Sequence, residues 1–138
     1  MRKRTKAREY ALQILYQLEL TGQTLDEVLV SFWEDHGGDA EIVSFTERIA
    51  RGTVEHMPAI DEILKKYSEN WNLNRMACID RNILRFATFE ILFMQDIPPK
   101  VSINEAVNLA KSYSQQDSGK FVNGVLDKIN HTEQPIQS

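Results

Sequence analysis

The stretch MACIDRNILRFATFEILFMQ, Met76 to Gln95, decides the fold class. Ile79, Ile83, Leu84, Ala87, Ile91 and Met94 recur at helical spacing on one side, and Phe86, Phe89 and Phe93 on another. A helix built from it is apolar most of the way round, so it must lie inside the molecule. It reads as a central strut, and Pro98-Pro99 stops it.

The same period continues in both directions. Downstream, Ser102 and Glu105 predict a capping box for a helix carrying Ile103, Ala106, Val107, Ala110 and Tyr113. A last helix starts at Asp117-Ser118 and carries Phe121, Val122, Val125, Leu126 and Ile129. Gly124 inside it, at a cost of about 1 kcal/mol, predicts a close helix crossing. The polar residues 131–138 are expected to fray. Upstream, Pro58 opens a helix with Ile60, Ile63, Leu64 and Tyr67, where Asp61 and Glu62 suit the positive N-terminal end. Another carries Ile42, Phe45, Ile49 and Ala50 toward His56. Thr24 and Glu27 form a capping box before Leu25, Val28, Leu29, Phe32 and Trp33, a helix ending before Gly37-Gly38. The first helix runs from about Thr5 to Leu20, with Gly22 just past its end. No alternating or β-branched run argues for a strand. The expectation is an all-α fold of about seven helices in one domain over residues 1–138.

A chain of 138 residues with 42% hydrophobic content buries roughly 68% of its unfolded surface, enough to dispense with disulfides or a structural metal. Cys78 is the one cysteine and cannot bridge internally. No apolar signal core or membrane-spanning run appears, so a cytoplasmic protein without membrane contact is expected. Net charge is −4, but the sum hides an asymmetry. Arg2, Lys3, Arg4, Lys6 and Arg8 place five of the sixteen basic residues in positions 1–8. Nine acidic residues and no Lys or Arg follow from Glu9 to Glu47. The chain therefore opens as a basic arm on an anionic body, which reads either as a nucleic-acid contact or as a solvated tail.

Chemistry of other kinds is sparse. His36, His56 and His131 lack a second ligand at metal-binding spacing. The carboxylate pairs Asp26-Glu27 and Asp61-Glu62 fall in first helical turns, where the dipole accounts for them. Neither GxGxxG nor GxxxxGK[ST] occurs, and Cys78 has no activating neighbour in sequence. A binding protein with no catalytic site, metal or cofactor is the expectation. The arm fits it, because cations in a first turn oppose the helix dipole while phosphate would meet free N–H groups and positive side chains together.

Three stretches carry a family resemblance. Ala7-Arg8-Glu9, Ala11, Gln13 and Leu15-Tyr16 look like the opening of the NusB family of transcription antitermination factors. Trp71, Arg75, Asp80-Arg81, Ile83-Leu84-Arg85 and Glu90 match its central helix. The longest match is Val101-Ser-Ile-Asn-Glu-Ala-Val-Asn-Leu-Ala-Lys111, followed by Asp117-Ser118, Lys120 and Phe121-Val-Asn-Gly-Val-Leu-Asp127. Residues 71–128 resemble the family closely and 4–18 well, while 20–70 match only as helices of suitable length.

The resemblance implies two small perpendicular helical bundles and an RNA surface. It also implies a partner, the small-subunit ribosomal protein NusE, with which the family binds single-stranded boxA RNA within the RNA polymerase antitermination complex. Carried over by position, the RNA side is Arg2, Lys3, Arg4, Lys6, Arg8, Asp117, Lys120 and Phe121, and the NusE side includes Tyr16 and Asp80. Each has a structural alternative. Tyr16 lies on an apolar stripe, Asp80 could simply favour a helix start, and Phe121 has an apolar i+4 neighbour in Val125. Two rival functions remain: a homodimer that buries the first or fifth helix, and a stand-alone relative of the RNA-binding domain of ribosomal-RNA cytosine methyltransferases.

Overall fold

Thr24 and Glu27 do close a capping box, each side chain meeting the other residue's backbone N–H, in the computed structural model, which describes residues 2–68 and 77–136. Seven helices make up the regular structure of those residues, and no strand is found among them. They are α1 (Lys3–Thr21), α2 (Leu25–His36), α3 (Ala40–Glu55), α4 (Met57–Tyr67), α5 (Cys78–Phe93), α6 (Pro99–Tyr113) and α7 (Ser118–Thr132). Gly22 ends α1 in the left-handed region at φ 69°, its N–H donating to the Leu18 carbonyl. Asp39 caps α3 by accepting from the Ile42 N–H at 2.9 Å.

The central strut is α5, with thirteen of its sixteen residues buried. Its first residue is Cys78; Met76, with Trp71 and Arg75, lies outside the described residues. The helices form two small bundles, α1–α3 and α4–α7, and α5 of the second packs against α1 and α3 of the first. One continuous apolar cluster runs from Ala7, Ala11 and Leu15 of α1 through Phe86 and Leu92 of α5 to Ala106, Val122 and Leu126 of α6 and α7. A second, smaller cluster of Tyr10, Ile14, Val28, Leu29, Phe32 and Ala50 seals α2 onto α1 and α3. Phe89 is the tightest joint between the bundles. A Cβ on Gly52 of α3 would lie 2.0 Å from its Cζ, so only glycine lets α3 approach α5 here.

Three expectations need correction. First, Ser102 and Glu105 cap nothing: α6 starts a turn earlier, at Pro99, and both side chains are engaged in a buried network described below. The proline pair that ends one segment also opens the next, because its fixed φ suits a first turn. Second, Gly124 marks no helix crossing, since a Cβ there would meet nothing within 4 Å. Third, the tail is anchored through Ile136: α7 runs to Thr132, the Tyr67 hydroxyl donates to Glu133, and the Ile136 N–H donates to the Leu92 carbonyl at 2.7 Å.

Candidate nucleic-acid interface and partner groove

The basic arm is the first two turns of α1 rather than an extended tail, and the turn of the helix sorts its five cations. Arg2, Lys3 and Arg4 are exposed and Lys6 is half-buried. Lys3 Nζ lies 2.9 Å from Asp39 and 3.5 Å from Glu41, and its hydrogen bond to Asp39, with that carboxylate's charge, raises its pKa. Arg4 lies over the Phe45 ring at 4.6 Å, and Lys6 over Tyr10 at 4.9 Å. Both charges are thus held at the surface by the faces of aromatic rings whose bodies belong to the core.

Arg8 departs from expectation. Its side chain is 1% exposed and forms a fork with Glu90 of α5, Nε to Oε2 at 2.9 Å and Nη2 to Oε1 at 2.7 Å. Ser102 donates to the same Glu90 at 2.9 Å, and Glu105 receives Arg8 Nη1 at 3.3 Å and the Thr5 hydroxyl at 2.7 Å. This network bolts the start of α1 to α5 and α6. Arg8 is therefore no phosphate contact; it fixes the direction in which Arg2, Lys3 and Arg4 point.

The second set of expected residues sits at the corner between α6 and α7. Asp117 and Lys120 are exposed, and the Phe121 ring stands 37% exposed on the first turn of α7. Sequence reasoning missed Lys111 as a member of this corner. A Cβ on Gly119 would meet the Lys111 stem at 3.0 Å, so that stem lies across the buried glycine. Its signal was an i+8 spacing from Lys111 to Gly119 across a turn, which no helical period reveals. The arm and the corner are not one cluster. Thr5 and Arg8 meet α6 at Glu105, whereas Glu9 meets it at Tyr113, eight residues on, by a 2.8 Å hydrogen bond. At the helical rise those levels are about 12 Å apart.

The two expected partner residues also separate. Tyr16 is 39% exposed on the wall of an apolar groove of about 470 Å³ between α1, α2, α5 and α6. Leu12, Leu20, Phe32, Ile79 and Tyr113 line it with Tyr16. Asp80 is 8% exposed and accepts from the Ser118 hydroxyl at 2.9 Å. That corrects its assignment: its carboxylate ties the first turn of α7 to α5, and the groove is reached instead by its neighbour Ile79. No group of His, Cys, Asp and Glu that could hold a metal ion occurs among the described residues. No helix of theirs is long and apolar enough to cross a membrane. Cys78 is the reverse of an activated nucleophile, since burial and the Glu19 carboxylate, 2.9 Å from Sγ, push its pKa up to about 11.

Comparison with known proteins follows the same outline. Residues 5–131 match the model of the NusB family. The transcription antitermination protein NusB of Desulfitobacterium hafniense is 51% identical over 128 residues, covering 91% of this chain and 86% of that protein. That of Thermodesulfovibrio yellowstonii is 47% identical over 137 residues, covering 92% and 91%. Among solved structures, T. maritima NusB superposes with a TM-score of 0.87 at 39% identity, over 96% of this chain and 93% of that one. A chain from a crystal structure of antitermination factors NusB and NusE in complex with dsRNA gives 0.85 at 30% identity, over 95% and 98%.

Proposed function

The chain belongs to the NusB family, and on that premise we propose that it is an RNA-binding transcription antitermination factor that acts with the ribosomal protein NusE and catalyses no reaction. Its target is the boxA element of nascent ribosomal transcripts, its place the RNA polymerase antitermination complex in the cytoplasm. The observation that carries this reading is the first turn of α1. Arg2, Lys3 and Arg4 stay exposed at the positive end of a helix, where cations oppose the dipole at a cost, and of the three Lys3 is the one met by carboxylates, Asp39 and Glu41, among the described residues. An RNA phosphate reverses that cost.

The two surfaces divide the work. Cations on α1 supply phosphate contacts, which position a strand without reading it. The α6–α7 corner carries exposed Lys111, Asp117 and Lys120 together with Phe121, an aromatic face on which an unpaired base can stack. NusE occupies the groove beside Tyr16, whose apolar lining stays open among the described residues. A second copy of this chain is the competing occupant of that groove, and light scattering with and without NusE separates the two.

Phe121 gives the sharpest test. A base stacked on it contributes roughly 1–3 kcal/mol, whereas truncating a core Phe costs about 3–5 kcal/mol of stability. With the ring 37% exposed, Phe121→Ala is expected to weaken single-stranded boxA RNA roughly fivefold or more while removing less than about 1.5 kcal/mol of stability. Scrambled and double-stranded RNA are titrated beside it. A stability loss near that of a core Phe with unchanged RNA affinity contradicts the assignment.

A further inference from the structure

We infer that the RNA surface continues along the outward face of α7, from Lys120 and Phe121 across Gly124 to Lys128, and that a single-stranded RNA backbone approaches the helix most closely at Gly124. This rests on the RNA reading above and extends it beyond the first turn of the helix.

Glycine in the middle of a helix is unfavourable, because it gives up more backbone freedom than any other residue and adds no packing. Where this fold requires one, the reason is visible. Gly52 has Phe89 against it and Gly119 has the stem of Lys111. Gly22 and Gly37 have positive φ. Gly124 has none of these reasons: its φ is not positive, and a Cβ on it would find no atom within 4 Å. Neither conformation nor internal packing asks for glycine there.

Its position suggests what does. Gly124 stands three residues after Phe121, four after Lys120 and four before Lys128, which places all four on one stripe of α7. That stripe is exposed, while Val122, Val125, Leu126 and Ile129 bury the opposite face. Asn123, exposed beside it, offers an amide to a sugar or phosphate. Two carboxylates border the stripe: Asp117 at the N-cap, and Asp127, which lies 3.3 Å from His131 Nε2, one turn on. A crossing protein helix seeks small and apolar neighbours around such a glycine. Here lysines stand on both sides of it and a stacking ring at one end, the complement of a polyanion carrying bases.

The test uses the full chain with NusE and fluorescently labelled single-stranded boxA RNA, read by anisotropy, with thermal unfolding of the same samples. Gly124→Ala is expected to raise the unfolding midpoint by about 3 °C, because the helix gains a better former. RNA affinity is expected to fall roughly threefold or more, since the added methyl stands where the strand passes. Lys128→Gln is expected to reduce the magnitude of the salt slope by about 0.7, one phosphate contact on a single strand. A more stable Gly124→Ala protein that binds RNA as tightly as the parent overturns the inference. So does a lowered midpoint, which would give the glycine a role inside the fold. If the unaltered chain binds no RNA even with NusE, the broader reading fails with it; if it binds and both variants match it, this extension alone fails.

Discussion

Arg8 shows how far a charge count can mislead at the scale of one residue. It belongs to a run of five cations, but it also precedes Ala11, Leu12 and Leu15 at helical spacing, and that stripe faces inward. The turn of the helix decides: Arg4, one turn earlier, lies beyond the core's edge, while Arg8 enters it and meets Glu90. Removing one partner of a buried ion pair strands the other, at about 3–5 kcal/mol. Arg8→Ala should therefore lower the unfolding free energy, read by denaturant titration, by an amount of that order, whereas Lys6→Gln, with its charge at the surface, should change stability by less than about 0.5 kcal/mol. An Arg8→Ala protein of parental stability that fails to bind RNA would return this residue to the RNA surface. Asp80 follows the same logic. A carboxylate at a helix start reads as solvent-facing, and only the packing of α7 onto α5 reveals that Ser118 covers it.

At the scale of elements, most of the helices were legible because each signal was local. The Thr24–Glu27 box, Gly22, Pro58 and the apolar period of α5 depend on residues within a turn or two of each other. Ser102 and Glu105 have the same local pattern, yet their side chains are claimed by Arg8 and Thr5 from the far end of the chain. The α6–α7 corner was read in part: Lys120 and Phe121 by family likeness, but not the Lys111 stem on Gly119, a contact across a turn. A clamp at the start of α5 was equally invisible. Glu19 of α1 accepts from Arg81 at 3.0 Å and from Arg85 at 2.9 Å, while Asp61 of α4 takes the other edge of Arg85 at 2.9 Å. Burial pushes the Glu19 carboxyl up, but hydrogen bonds from Arg81 and Cys78 and the charges of both arginines outweigh it and hold its pKa down to about 2. A carboxyl lowered on folding stabilises the protein above its unfolded pKa, and that contribution is lost as pH falls toward the folded value. Partial exposure moderates its size. Urea midpoints taken between about pH 5 and about pH 2.5 should therefore fall less steeply for Glu19→Gln than for the parent. Parallel curves would mean that the clamp adds nothing to stability.

At the scale of the molecule, sequence asymmetry becomes spatial asymmetry. Five early cations precede a long acidic stretch, and folding brings part of that stretch back to the cations: Lys3 reaches Asp39 and Glu41 at the start of α3. The first turn of α1 is thus held against a rigid support, with Arg2 and Arg4 exposed beside it. The α6–α7 corner stands further along α6, so a strand touching both must span the distance between them, and the apolar groove beside Tyr16 opens next to α6 at Tyr113. Charge placement, more than any single contact, is what the proposed RNA surface depends on. It is tested most directly by the salt dependence of RNA affinity in the parent and in a variant with Arg2, Lys3, Arg4 and Lys6 all changed to Gln. Each phosphate neutralised on a single strand contributes about −0.7 to the slope of log affinity against log salt, so these four with Lys120 and Lys128 give roughly −4.2 at most. The variant is expected to fall to about −1.4 and to lose affinity for boxA and scrambled RNA alike. A variant that keeps the parent's slope would contradict it, leaving the first turn of α1 a solvated helix end.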